Sequence, residues 1–190
     1  MYLTCNIAFS LLIVSAAIAL DDNNPEKWPS PNQKYAVRET FYGEGKRVIG
    51  VFVNLPTGKT AVIYPSGARS LSALWSSDSH YVALNADRSK YRGDAKLFRV
   101  EHGKISEIEL PPNMDASNFL SAHAKEHLGH FSFEAIHAER WIANNQIEFV
   151  SETEAVFLNG AGTESVSQHF IVEISKGEAK IIKTYAEKGA

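Results

Sequence analysis

The chain has 190 residues, of which 44% are hydrophobic and 22% charged, with a formal net charge of -3. That length and apolar content fit one domain with a real core. The slightly acidic balance excludes a general electrostatic attraction to nucleic acid or to an anionic membrane surface.

The first twenty residues differ from the rest. Ile7 to Leu20, "IAFSLLIVSAAIAL", is uncharged and apolar apart from two serines, and acidic, Pro-containing sequence follows it. A short apolar run ending in small residues, with Ala17 and Ala19 spaced as A-x-A, predicts a secretory signal peptide cleaved near Leu20. The n-region "MYLTCN" lacks the usual Lys or Arg. A membrane anchor or a buried N-terminal strand are the alternatives, although the run is short for a span. The one cysteine, Cys5, precedes the apolar run, where a lipoprotein acceptor would follow it. A mature domain of residues 21–190 then has no thiol, no disulfide and no Cys metal ligand, and is held by its core alone.

Past that point strand signals dominate. Val48 to Pro65 is a pair of β-rich runs around Pro56-Thr57-Gly58-Lys59, a hairpin in which glycine supplies positive φ. Lys96 to Leu110 repeats the pattern around Gly103, and His169 to Tyr185 repeats it around Lys176-Gly177-Glu178. A Trp-led segment precedes each hairpin: "WPSPNQKYAVRE" from Trp28, "WSSDSHYVALNAD" from Trp75 and "WIANNQIEFVSE" from Trp141. The first two hairpin glycines, Gly58 and Gly103, are 45 residues apart. A period of about 40–45 residues with four strands per unit is that of a propeller blade. Gly103 and Gly177 are 74 apart, and the segment from Pro111 to His137 accounts for the surplus as an insertion.

"SPNQKYAV" and "SSDSHYVAL" resemble the Ser-Pro-Asp-Gly-Lys-Tyr strand-turn-strand element of TolB-type and prolyl-oligopeptidase-type β-propellers. "NLPTGK" and "VEHGK" are similar to the hairpins of the same blades. The resemblance covers most of Trp28 to Leu110 and, faintly, Trp141 to Tyr185. It implies a mainly β fold of about three propeller-like antiparallel blades, open or incomplete, with one helical insertion at about 111–137. It also implies that Asp78 is a turn residue. Asn32-Gln33 and Asp78-Ser79 stand where the family has Asp-Gly, and Pro29 is an extra residue between Trp28 and Ser30. Three units are fewer than the four to eight of a closed propeller. An open stack of sheets is the reading adopted; a distorted barrel or half of an oligomeric ring are the alternatives.

The insertion contains the one good helix pattern of the mature chain, Met114 to His130, with Asp115 or Ser117 as N-cap and Gly129 as a stop. His123 and His127, four apart, share a helix face. "HAKEH" fits the His-x-x-Glu-His pattern of inverted zinc peptidases, with Glu126 as the residue that would activate water. Packing or solvated histidines are the simpler reading. His123, His127 and His130 remain candidates for adventitious or regulatory metal binding.

The remaining motifs are local. Gly160 to Gly162 lacks the strand-then-helix setting of a phosphate loop, and no Gly-x-Ser-x-Gly elbow occurs. Asp87 to Asp94, "DRSKYRGD", is a charged loop whose terminal Arg-Gly-Asp reads as a solvated turn. Arg88, Lys90, Tyr91 and Arg92 on this loop are the expected partner-binding surface, since binding residues concentrate on loops held by a rigid scaffold. The sequence therefore predicts a non-catalytic exported protein, periplasmic or secreted. It would bind a protein or cell-envelope component, with no catalytic set, no cofactor, no nucleic acid and no stable membrane insertion after cleavage. Oligomerisation remains open. The alternatives are a small zinc-dependent hydrolase built on the His-x-x-Glu-His helix and an inhibitor or immunity protein.

Overall fold

The structure, a computed structural model, describes residues 27–42 and 47–186. The expected signal peptide and Cys5 lie outside these residues. Twelve strands form three four-stranded antiparallel meanders. The first comprises β1 (Trp28–Pro29), β2 (Tyr35–Tyr42), β3 (Arg47–Asn54) and β4 (Lys59–Ala68). The second comprises β5 (Ser70–Trp75), β6 (Tyr81–Ser89), β7 (Arg92–Glu101) and β8 (Lys104–Ile108). The third comprises β9 (Leu128–Ala143), β10 (Gln146–Phe157), β11 (Thr163–Ser175) and β12 (Glu178–Ala186). These are the three expected repeat units. The second and third are joined by a short parallel contact, Arg92 with Glu134 and Gly93 with Ala135. The described strands do not close into a barrel.

The predicted hairpins form where the glycines stand. His102-Gly103 and Lys176-Gly177 both have two successive positive φ angles, 50° and 75°, then 54° and 85°. That pair of angles matches the twist of a two-residue hairpin. The two Ser-led turns are near copies of each other. In the first, Ser30 N–H donates to Tyr35 O and Gln33 N–H to Ser30 O. Asn32 Oδ1 accepts from Ser30 Oγ and from Lys34 N–H. In the second, Ser76 N–H donates to Tyr81 O and Ser79 N–H to Ser76 O, while Asp78 Oδ1 accepts from Ser76 Oγ and His80 N–H. Gln33 and Ser79, at the matching positions of the two turns, have φ of 55° and 63°. Asp78 is thus the hub of a turn, and His80 points to solvent.

The blades stack because the middle sheet is buried on both faces. On β6, Val82, Leu84 and Ala86 face the first blade, where they meet Val37, Phe52 and Tyr64. Ala83 faces the third, where the core contains Ile147, Phe149, Phe170 and Val172. At Gly50 a Cβ would stand 3.1 Å from Tyr64 Cβ in the same blade and 3.3 Å from Leu84 Cδ2 in the next, so the glycine leaves room for the tight contact between the first two blades. Polar bonds repeat from interface to interface. Trp75 Nε1–H donates to Trp28 O at 3.1 Å, and Trp141 Nε1–H donates to Leu74 O at 2.9 Å. Tyr35 stacks on Trp75 and Tyr81 stacks on Trp141. Between the second and third blades, Asn85 also makes two bonds to the backbone of Ala138, accepting from its N–H and donating to its carbonyl. Each tryptophan is half-buried.

Strand register corrects the alignment of the repeats. Pro29 pairs with Ala36 as Trp75 pairs with Val82 and Trp141 with Ile147. Pro29, not Trp28, therefore occupies the tryptophan position of the first blade. The insertion also differs from expectation. The predicted helix from Met114 to His130 breaks into a 3-10 turn, Ala116–Phe119, and a five-residue α1, Ala122–Glu126. Asp115 caps the first and Ser121 the second. From Leu128 the chain is already strand β9, so β pairing with β10 has overridden the helical pattern. Leu120 and Ala124 are buried against Ala155 of β10 in a small satellite core.

The left-handed turns offer a direct test. Gln33→Gly should raise stability by about 0.5–1 kcal/mol, because glycine adopts φ of this sign without the Cβ clash. Urea unfolding measures it, and a loss of stability would place a needed contact on the Gln33 side chain.

Candidate functional site

Two polar centres stand out on this scaffold. The first is the expected loop between β6 and β7. Arg88 is held by Asp94, Nε to Oδ2 at 2.8 Å, and Tyr64 donates to the same oxygen at 3.1 Å. Burial and the neighbouring Asp94 carboxylate push the Tyr64 phenol up. Lys90 lies over the ring of its neighbour Tyr91, which is 53% exposed. The backbone under this loop is fixed, since Glu134 N–H donates to Tyr91 O at 2.9 Å. Arg92 reaches Glu134 at 3.7 Å. Arg92-Gly93-Asp94 lies within β7, so the tripeptide is part of a strand and not the tip of a turn.

Three clefts surround the loop. One of about 270 Å³ is lined by Arg88, Arg92, Asp94 and Glu134. A second of about 380 Å³ has Arg69, Lys90, Arg92 and Phe133 on its walls. The third, about 490 Å³, is lined by Lys90, Tyr91, Phe133 and Val166. All four residues expected to form a binding surface therefore border open clefts.

The second centre was not anticipated from the sequence. On β10, Ile147 and Phe149 face the second blade, so Glu148 projects from the opposite face of the third sheet. Its side chain is nevertheless only 1% exposed. Arg140 Nε–H donates to Glu148 Oε2 at 2.8 Å, His169 Nδ1 lies 2.9 Å from Oε1, and the Tyr185 hydroxyl donates to Oε1. A β-bulge assembles this group. Glu148 pairs with Arg140 while Phe149 pairs with Ala138, which leaves Glu139 as the extra residue of β9. The extra residue brings Glu139 beside the cluster, with Oε2 3.7 Å from His169 Nδ1. The His169 and Tyr185 rings stack at 4.8 Å. Burial by itself pushes the Glu148 carboxyl up, but hydrogen bonds from Tyr185, His169 and Arg140 outweigh it and hold the group below its ordinary 4.5. The only hint in the sequence is a Glu between two large apolar residues, which an alternating strand would place in solvent. Its partners come from three other strands and become visible only through register.

The histidines of the insertion make a third, smaller group. The His123 and His127 rings lie 4.4 Å apart, and both residues are exposed. Glu126 is exposed on the same short helix, and His130 lies apart on β9 opposite Val156. Among the described residues, the one set of three potential metal ligands within 4.8 Å of one another is Glu139, Glu148 and His169. The His-x-x-Glu-His helix does not gather a comparable set.

The buried carboxylate has a pH signature. Its folded-state pKa is depressed, so the stability it supplies is complete above about pH 4.5 and is lost as pH falls through the lowered value. Glu148→Gln should cost about 1–3 kcal/mol at pH 7. The difference from the parent protein should shrink as pH is lowered below the ordinary value, as read by urea unfolding at a series of pH values.

No protein-family model and no curated protein matches the chain. Among solved structures it is similar to a putative TolB from Agrobacterium tumefaciens, at 12% identity and a TM-score of 0.35, covering 87% of this chain and 51% of that one. It is also similar to TolB from Acinetobacter baumannii, at 12% identity and a TM-score of 0.34, covering 81% of this chain and 38% of that one. The chain thus spans about half, or less, of these proteins. Its blade architecture stands on the strand pairing and stacking described above.

Proposed function

We propose that this protein is a non-catalytic, exported binding protein that presents the β6–β7 loop to a protein or cell-envelope partner. The observation that carries this reading is the placement of Tyr91. A half-exposed aromatic, flanked by Lys90 and Arg92, projects between clefts on a backbone tied into two blades. Tyr and Arg are the side chains that most often anchor interfaces, because they supply large rigid area and several donors. Lys90 forms no ion pair among the described residues, so its charge is available to a partner.

The histidine helix lends no support to the zinc-hydrolase alternative, because His123 and Glu126 sit exposed on a five-residue helix and His127 is its exposed C-cap. Among the described residues no helix is long and apolar enough to cross a membrane. The proposal of export rests on the sequence from Ile7 to Leu20.

Two measurements test this function. A pull-down from the native envelope fraction should recover a partner whose capture weakens at least tenfold, about 1.4 kcal/mol, in Tyr91→Ala and in Lys90→Glu/Arg92→Glu. Both variants should keep the thermal midpoint of the parent. Capture that survives both variants would place the binding surface elsewhere. Separately, N-terminal sequencing of protein expressed with its full leader should begin at or near Asp21, and a chain that still begins at Met1 would end the export reading.

A further inference from the structure

We propose that Glu139, Glu148 and His169 form a binding site for a single divalent cation of the zinc type, independent of the partner surface above. The donor set is one imidazole nitrogen and two carboxylate oxygens, which suits zinc better than magnesium or calcium. The two distances from His169 bracket the spacing that zinc needs. Zinc bonds of about 2.0–2.1 Å in a tetrahedron put neighbouring ligand atoms about 3.3–3.4 Å apart. His169 Nδ1 stands 2.9 Å from Glu148 Oε1 and 3.7 Å from Glu139 Oε2, on either side of that value. The three ligand atoms lie within 4.8 Å of one another.

The surroundings have the other features of a built site. The ligands come from three adjacent strands, and Glu139 is delivered by a bulge, which is how a strand brings two consecutive residues to one place. Arg140 holds the outer oxygen of Glu148, and the Tyr185 ring packs on His169, so carboxylate and imidazole are both fixed by neighbours. Glu148 and His169 are 1% and 12% exposed, while Glu139 is 48% exposed, so the cluster is buried at two of its ligands and open to solvent at the third. The exposed Glu139 gives the ion its way in. Charge points the same way: two carboxylates face one guanidinium, and with a neutral imidazole the cluster keeps one negative charge. On binding, the cation takes the Nδ1 lone pair, and the neutral imidazole then carries its one proton on Nε2.

The test is titration of the purified full chain with Co²⁺, followed by displacement with Zn²⁺. The expected result is one equivalent of Co²⁺ with the visible absorption of a four-coordinate site, displaced by one equivalent of Zn²⁺. Glu139→Gln, a substitution at a half-exposed position that the fold should tolerate, should weaken Zn²⁺ binding at least tenfold. His127→Ala should leave it unchanged. The proposal is overturned by an absence of Co²⁺ uptake, by uptake undiminished in Glu139→Gln, or by any loss of uptake in His127→Ala, which would move the metal to the histidine helix. None of these outcomes depends on whether the β6–β7 loop captures a partner.

Discussion

The structure depends on a middle strand, β6, whose apolar residues are buried on both faces. Strand β6 sends Val82, Leu84 and Ala86 one way and Ala83 the other, and both sets are buried. A strand buried on both faces must still satisfy the polar groups at its interfaces, since an unpaired buried donor or acceptor costs about 1–3 kcal/mol. The indole N–H groups of Trp75 and Trp141 do this by crossing to a carbonyl of the preceding blade, and Asn85 does it by serving both backbone groups of Ala138. Tyr35 and Tyr81 lie against the same indoles and add aromatic contact worth about 0.5–1.5 kcal/mol per pair. Tryptophan suits this position because it carries a large apolar surface and one donor on the same ring.

The same device is not repeated on the outer faces of the first and third blades. Passing it on requires a tyrosine at the start of the second strand of one blade and a tryptophan near the end of the first strand of the next. The third blade has Gln146 at the position of Tyr35 and Tyr81, and its amide is already bonded to Glu173 at 2.9 Å. The first blade has Pro29 at the tryptophan position, with no N–H to donate. Among the described residues, neither outer face therefore carries the repeating contact.

The two polar centres reflect different demands. The β6–β7 loop keeps its reactive surface outward: Tyr91 is half-exposed, and only Arg88 is tied tightly by a close ion pair. The Glu148 cluster does the opposite and buries a carboxylate under an arginine, a histidine and a tyrosine. A buried charge is kept only when it is paired and fully hydrogen-bonded, and such pairs are weak evidence for stability in themselves. Their cost makes a chemical role, such as holding a cation, the more economical account of four polar side chains converging on one face.

Much of this protein was legible before any coordinate. The glycine-centred hairpins, the Trp-led repeats and the doubled turn of Ser30 and Ser76 are local, since their hydrogen bonds close within about five residues and a short segment contains all the information needed. That locality is also why Asp78 reads correctly as a turn residue beside its counterpart Asn32. Register, by contrast, was decided only in the tertiary structure. It put Pro29 in place of Trp28, ended the helix of the insertion where β9 meets β10, and gathered Glu139, Glu148, His169 and Tyr185 from four strands onto one face. The sequence determined which segments become strands and where they turn. Which side chains meet across those strands depends on pairing between residues tens of positions apart, and a single bulged residue at Glu139 changes the answer.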